Sequence, residues 1–508
     1  MDEKSKLLNN NETQLIPVHK GYGARHTFTI LSFIGYFNLY SLRYNLSVAM
    51  VAMANHTDSV PNPNVSYSGE CPDPGNNTTI DQAAGKAVEF DWDEATQGMI
   101  LSSFFYGYVA TQIPGGMLSE RYGGKHLFGC SILIMSILTL LTPVVAKIGT
   151  WALIITRVIE GLVSGITFPA IAAMQGKWSP EMERTLLIVI ASSGASLGNV
   201  IVLPISGFLC DSHFLDGWPA SFYIFGGIGC LWFVFWHFLI YESPASHPRI
   251  SLRERNYIES TAGQRELKNY PTPWKSILTS SAIWAIMITV FCQSWGAYVT
   301  TTVLPTYMNK IQKFDITQDG LLLAIPNLVI VLTNVVGSWL ADILRRRKIL
   351  STIAVRKLFS TISLLPAALC LPFIPLAGCD HVIIVTLIVV GNGMLGFCGA
   401  GFWVNFMDIG FNFSGVTMGL INFSSNIAGV ISPYFVGVLT NNNETMNQWR
   451  TVFYVSMGFY VAGTLVFLLF AKGTEEDWNK LPCEKGEINV QTPGTMASDD
   501  ICERESCH

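Results

Sequence analysis

Twelve stretches of this chain are apolar for long enough to cross a lipid bilayer, and they fill it almost continuously from Arg25 to Lys472. The hydrocarbon core is roughly 30 Å thick, so a helix rising 1.5 Å per residue needs about 20 residues to span it. The spans read as roughly 26–54, 95–118, 126–146, 150–174, 185–208, 219–241, 276–308, 319–344, 352–376, 381–405, 411–438 and 450–471. The pattern predicts an all-α membrane protein with twelve transmembrane helices, solvated by lipid. Composition agrees, with 50% hydrophobic and 13% charged residues, where a soluble domain carries about 25% charged.

The distribution of charge says more than its sum. Of the 31 Lys and Arg residues, 24 lie at or near the side of the N-terminus, two, Arg43 and Arg157, lie deep inside spans, and five lie at or near the opposite side: Lys86, Lys147, Lys310, Lys313 and Arg450. Basic residues in short loops mark the cytosolic side, so both termini and the long middle loop are expected there. Glycosylation sequons test this independently. Asn55, Asn64, Asn76 and Asn77 open N-x-S/T triplets in the loop 55–94, and Asn443 opens one before the last span. All five lie on the predicted luminal or extracellular side, where such sites are modified. Asn45, Asn412 and Asn422 also open sequons but fall within spans and are discounted. The eleven cysteines show no metal-ligand spacing and read mostly as small buried hydrophobes; Cys71 and Cys379 share the luminal side and are candidates to pair. The first span follows a polar segment and has no cleavage site, so no cleaved signal peptide is expected.

The chain divides into a cytosolic tail, 1–25; a six-helix half, 26–241; a charged cytosolic linker, 242–275; a second six-helix half, 276–472; and a tail, 473–508. The linker has the composition of a short amphipathic helix on the membrane face. A matching signature follows the second span of each half: GMLSERYGGK, Gly116 to Lys125, and GSWLADILRRRK, Gly337 to Lys348. Each has Gly, then an acid (Glu120, Asp342), then basic residues at the cytosolic edge (Arg121, Arg345). Glycine lets helices approach closely, and the acid suits an Arg or the positive N-terminus of a neighbouring helix, so the pair reads as a gate latch. Orientation alone would also place basic residues there. The duplicated order resembles that of the major facilitator superfamily, which implies two six-helix halves around a midplane site, working by alternating access.

Longer strings narrow the resemblance. FDWDEATQGMILSSFFYGYVATQIPGG (Phe90–Gly116), TRVIEGLVSGITFPA (Thr156–Ala170), WSPEMER (Trp178–Arg184) and YESPASHP (Tyr241–Pro248) are similar to the anion-transporter family that contains sialin and the vesicular glutamate transporters. ILSTIAVRK and WRTVFYV carry the likeness into the second half. The family implies carriers of sialate, acidic amino acids, nucleotides or phosphate, often proton-driven in acidic organelles.

Arg43 sits deep in the first span, where a charge costs from about 3 to over 10 kcal/mol unless it faces a wet cavity or a partner. Its planar fork suits a carboxylate or phosphate, and the resemblance places the substrate-binding Arg here. Pairing with a helix carbonyl is the plainer reading. Arg157 and Glu160 share one helical face; they are a mutually stabilising pair, or Glu160 is a proton carrier, the role the resemblance supports. Asn405 and Asp408 align with polar positions of the family's tenth span, where Phe406 replaces a histidine; Asp408 either ties helix ends or joins a proton path. Tyr106 and Tyr298 either donate hydroxyls to an anion from opposite halves or pack in the core.

Departures are informative too. Ala172 stands where the family commonly has His, Ser164 where sialin-like and glutamate-carrying members have a second Glu, and Gln293 where glutamate carriers have Arg. These weaken a two-carboxylate substrate and make proton coupling less secure. In the N-terminal tail, Glu3 with Leu7 and Leu8 fits an acidic dileucine signal read by a sorting adaptor.

The expectation is a secondary active carrier of small organic anions such as sialate or acidic metabolites, coupled to a proton, in a lysosomal or vesicle-type membrane. A sodium-coupled phosphate carrier at the plasma membrane is the alternative. No pore-charge ring marks a channel and no nucleotide-binding GxxxxGK[ST] string marks an ATP-driven pump. The partners expected are the anion, the coupling proton or sodium ion and the bilayer, with no cofactor, metal or nucleic acid.

Overall fold

The computed structural model describes residues 22–53, 90–212, 214–262, 271–300, 316–440 and 446–480. The sequons at Asn55, Asn64, Asn76, Asn77 and Asn443, the tail residues Glu3, Leu7 and Leu8, and Cys71 lie outside them. Cys379 is disulfide-bonded.

The described residues are helical, with no strand among them. In the first half α1 is Ala24–Met53, α2 Glu94–Tyr122, α3 Gly124–Ile148, α4 Thr150–Ser164, α5 Thr167–Trp178, α6 Arg184–Asp211 and α7 Trp218–Leu239. The linker contributes α8, Leu252–Ala262, and α9, Trp274–Thr279. The second half holds α10 Ser281–Tyr298, α11 Ile316–Arg346, α12 Thr352–Leu376, α13 His381–Leu395, α14 Phe402–Gly410, α15 Ser414–Thr440 and α16 Met446–Phe470. By length and apolarity alone eight runs qualify as spans, one of which, Val382–Leu439, contains two. Helices α1, α2 and α10 complete the twelve. Helices α4 and α5 together make one span, as do α13 and α14.

Local chemistry sets several boundaries. Asp93 caps α2, its carboxylate accepting from Thr96 N–H at 2.9 Å, and the Thr96 hydroxyl together with this N–H holds the Asp93 carboxyl below its ordinary range. Ser351 caps α12 through Ala354 N–H, and Asp380 caps α13 through Val382 and Ile383. At Gly123, φ is +87°, so only a glycine turns α2 into α3 without strain.

Two spans are broken at equivalent places in the two halves: α4 gives way to α5 at Gly165, and α13 to α14 through a 3-10 turn, Gly396–Gly399. The same contact braces each break. Thr111 donates to the Leu162 carbonyl at 2.7 Å, and Thr333 donates to the Gly393 carbonyl at 2.6 Å. Discontinuous helices at a repeat interface are where carriers of this architecture place their sites.

Lipid supplies no hydrophobic force between helices, so packing depends on small residues and interhelical hydrogen bonds. Accordingly Gly198 sits where a Cβ would lie 2.5 Å from the Phe37 carbonyl of α1, and Gly161 lies against the Phe104 carbonyl of α2. The linker is tied down as well. Glu254 of α8 accepts from the backbone N–H groups of Ala24 and Arg25 at 3.1 and 3.2 Å, closing the N-terminus of α1.

Candidate functional site

Between the halves lies a cavity of about 380 Å³, walled by α1, α2, α5 and α6 on one side and by α10, α11, α14 and α15 on the other. Arg43 is the one charged side chain among the described residues lining it. Its guanidinium carbon lies 4.7 to 5.7 Å from the ring centres of Tyr40, Tyr44, Phe104, Phe105 and Tyr108. The guanidinium has no carboxylate partner among the described residues. Aromatic faces attract a cation by their quadrupole but leave its N–H groups unused. The charge is therefore stabilised in place and remains available to an anion.

The opposite wall is polar and neutral: Gln293, Tyr298, Asn334, Asn422, Ser425 and Asn426 all line it. Three of the four sequence departures fall on the cavity wall, as Ala172, Gln293 and Phe406. Each puts a neutral side chain where the resemblance leads one to expect an ionisable one. Ser164 is buried and does not line the cavity.

Two expected binding residues are placed elsewhere. Tyr106 is 68% exposed and absent from the cavity wall. Residues two apart on a helix sit about 200° apart, and on α2 it is Tyr108 that turns inward. Asn405 is fully buried and donates to the Lys472 carbonyl at 2.9 Å, joining α14 to the segment after α16. Asp408 is taken up by a two-pronged ion pair with Arg356 of α12, at 2.7 and 3.2 Å.

Arg157 and Glu160 form a buried ion pair on α4. Thr139 approaches Glu160 at 3.5 Å, and Arg157 donates to the Arg43 backbone carbonyl at 3.3 Å. Both guanidiniums contact the ring of Phe104, whose centre is 5.1 Å from Arg157 and 4.9 Å from Arg43. Neither member of the pair lines the cavity, but both are coupled to the helix that carries Arg43.

Below the cavity the halves are closed against each other on the side that the sequence predicts to be cytosolic. Glu120 accepts from Gly415 N–H at 2.7 Å, at the N-terminus of α15. Asp342 accepts from Leu186 N–H at 2.8 Å, at the N-terminus of α6. Each acid thus satisfies an orphan donor of a helix in the other half and complements its dipole. A Cβ at Gly116 would lie 2.7 Å from the Gly415 carbonyl, and one at Gly337 would lie 2.5 Å from Phe397. Arg345 reaches across to the Glu181 carbonyl at 3.2 Å and carboxylate at 3.3 Å. Arg121, by contrast, is exposed and packs beside Tyr122 at 5.6 Å, away from this contact.

Several further residues tie this closed end together. Arg356, fully buried, also donates to Thr185 across the halves at 3.2 Å, and Arg184 donates to the Met407 carbonyl at 3.3 Å. Arg25 pairs with Glu183 at 3.0 Å, and Glu183 with Arg346 at 3.5 Å. The Asn422, Ser425, Asn426 series on α15 was detectable as polar residues at helical spacing inside a span.

The comparisons agree with this architecture. Residues 32–433 match the model of the Major Facilitator Superfamily. Sialin of Homo sapiens is 39% identical over 456 residues, covering 90% of each chain. Vesicular glutamate transporter 3 of Danio rerio is 35% identical over 466 residues, covering 90% of this chain and 75% of its own. Among solved structures, the proton:xylose symporter XylE superposes with a TM-score of 0.64 at 14% identity, over 89% of this chain and 96% of its own. A family model matching residues 32–433 and a relative 39% identical over 90% of the chain, on a fold of two halves around a central cavity, make the assignment: this multi-pass membrane protein belongs to the major facilitator superfamily of transporters.

Proposed function

We propose that the protein carries a small organic monoanion, of the size and polarity of sialate, across an organellar membrane by alternating access. The carrying observation is that, among the described residues, Arg43 is the one charged side chain on the cavity wall and has no carboxylate partner. One cation compensates one carboxylate. A second carboxylate would enter a cavity with no further cation among the described lining residues, and burying an unpaired charge is expensive. The amides and hydroxyls of the α10, α11 and α15 wall suit the hydroxyl and amide groups of the rest of such a ligand.

Alternation follows from the two halves. Here the cytosolic contacts are made. Breaking the Glu120 and Asp342 closures while the luminal ends approach would present the same cavity to the cytosol. Coupling is assigned to a proton at Glu160, beside the helix that carries Arg43. Glu3, Leu7 and Leu8 address the protein to lysosomal or vesicle membranes through a sorting adaptor.

The test is uptake into liposomes of purified protein, comparing sialate, glutamate, aspartate, nucleotide and phosphate under imposed pH, voltage or sodium gradients. Saturable sialate uptake driven by a pH gradient, lost in Arg43→Ala with membrane abundance unchanged, is the expected result. Undiminished uptake by Arg43→Ala refutes the reading, and sodium-driven phosphate uptake alone replaces it.

A further inference from the structure

The cytosolic closure does not end below the cavity; one seam of it runs up into the cavity floor. Helices α2 and α15 meet first where Glu120 accepts from Gly415 N–H. They continue where a Cβ at Gly116 would lie 2.7 Å from the Gly415 carbonyl, and one at Gly419 would lie 2.5 Å from the Gln112 carbonyl. The seam ends at Asn422. Its side-chain amide donates to Gln112 Oε1 at 3.0 Å and to Tyr108 Oη at 3.2 Å, both across the halves.

Asn422 and Tyr108 line the cavity, and the Tyr108 ring centre is 5.0 Å from the Arg43 guanidinium carbon. Gln112 is fully buried, and its Nε2 has no hydrogen-bond partner. An amide nitrogen has two N–H groups, and both of Asn422's are committed to the seam. A ligand acceptor reaching Asn422 must therefore displace Tyr108 or Gln112.

We propose that Asn422 is the positioning residue through which ligand at Arg43 loosens the cytosolic gate. Resting on the carrier reading above, the proposal assigns the ligand's polar body to Asn422 while its carboxylate sits on Arg43. The exchange removes the cavity-end tie of α2 to α15. Between helices in lipid a few hydrogen bonds and close glycine contacts hold the pair, so losing one end shifts the seam toward opening. Cavity occupancy and gate position are then linked by one side chain.

The test is a cysteine reporter in the seam: Val416→Cys, with Cys483, Cys502 and Cys507 replaced by serine, labelled by a membrane-impermeant maleimide applied from the cytosolic face. In this parent protein sialate should speed labelling several-fold. With Asn422→Leu added, labelling without ligand should already be at least fivefold faster, and sialate should change it less than twofold. Slow basal labelling that keeps the full sialate response overturns the proposal. Should Asn422→Leu fail to reach the membrane, Gln112→Leu decides: faster basal labelling with the sialate response retained supports the tie, and unchanged basal labelling overturns it. Failure of the carrier reading has a different signature, a parent reporter that does not respond to sialate, and this sinks both.

Discussion

Replacing Glu160 by Gln asks how far a proton and an anion are coupled inside the first half. With Glu160 ionised, Arg157 is compensated by its ion pair and Arg43 stands as the one uncompensated charge nearby. With Glu160 neutral, Arg157 and Arg43 are two cations in contact with the same Phe104 ring. The ring-centre distances of 5.1 and 4.9 Å bound their separation at 10.0 Å. At an effective dielectric of about 20, two unit charges about 10 Å apart repel by about 1.7 kcal/mol. A monoanion on Arg43 cancels that repulsion, so neutralising Glu160 should tighten anion binding by about 20-fold, and linkage makes the effect mutual. Glu160→Gln mimics the neutral carboxyl at every pH. The expected outcome is an anion affinity about 10- to 20-fold tighter than the parent at neutral pH, measured by equilibrium binding in detergent. That affinity should no longer vary with pH, and counterflow exchange should persist while pH-driven accumulation is lost. An affinity equal to the parent's with its pH dependence intact would refute the electrostatic link between Glu160 and Arg43. Monodispersity on size exclusion separates this from collapse of the fold around an unpaired Arg157.

Other perturbations probe the frame around the cavity. Asp408→Ala leaves the fully buried Arg356 without its carboxylate, and breaking a buried ion pair typically costs about 3–5 kcal/mol; a clear fall in melting temperature is expected, and an unchanged melt would show the pair to be dispensable. Gly116→Val places two methyl groups against Gly415 and Val416, so the halves should fail to close on the cytosolic side, raising cytosolic labelling of Val416→Cys and reducing uptake at least tenfold. Leu7→Ala with Leu8→Ala should move the protein to the cell surface, as scored by surface biotinylation; an unchanged location would defeat the sorting reading.

Much of the architecture is legible along the chain because a bilayer sets a length criterion that each segment meets by itself. Twelve spans, their orientation and a repeated Gly-acid-basic signature need no knowledge of which helices touch. Arg43 is conspicuous for the same reason, since a charge inside an apolar run carries a penalty whatever surrounds it. The orientation of each helix about its axis is different. Lipid-facing and core-facing residues are both apolar here, so no amphipathic stripe shows which tyrosine of SFFYGY turns inward, and Tyr106 stood in for Tyr108. Asn405 and Asp408 carried the polarity of a site but were drawn off by the Lys472 carbonyl, in the segment after α16, and by Arg356 of α12.

By itself the sequence determined a twelve-helix membrane protein in two similar halves, and it singled out Arg43 as a cation deep in an apolar run. Tertiary structure alone decided what surrounds that cation: five aromatic rings and, among the described residues, no carboxylate, a neutral wall from the other half, and a seam joining Tyr108 to Asn422 across 314 residues of chain. The physical reason is that helix rotation in lipid is fixed by glycine contacts and interhelical hydrogen bonds between distant segments. Those pairings exist only once the two halves have closed on each other.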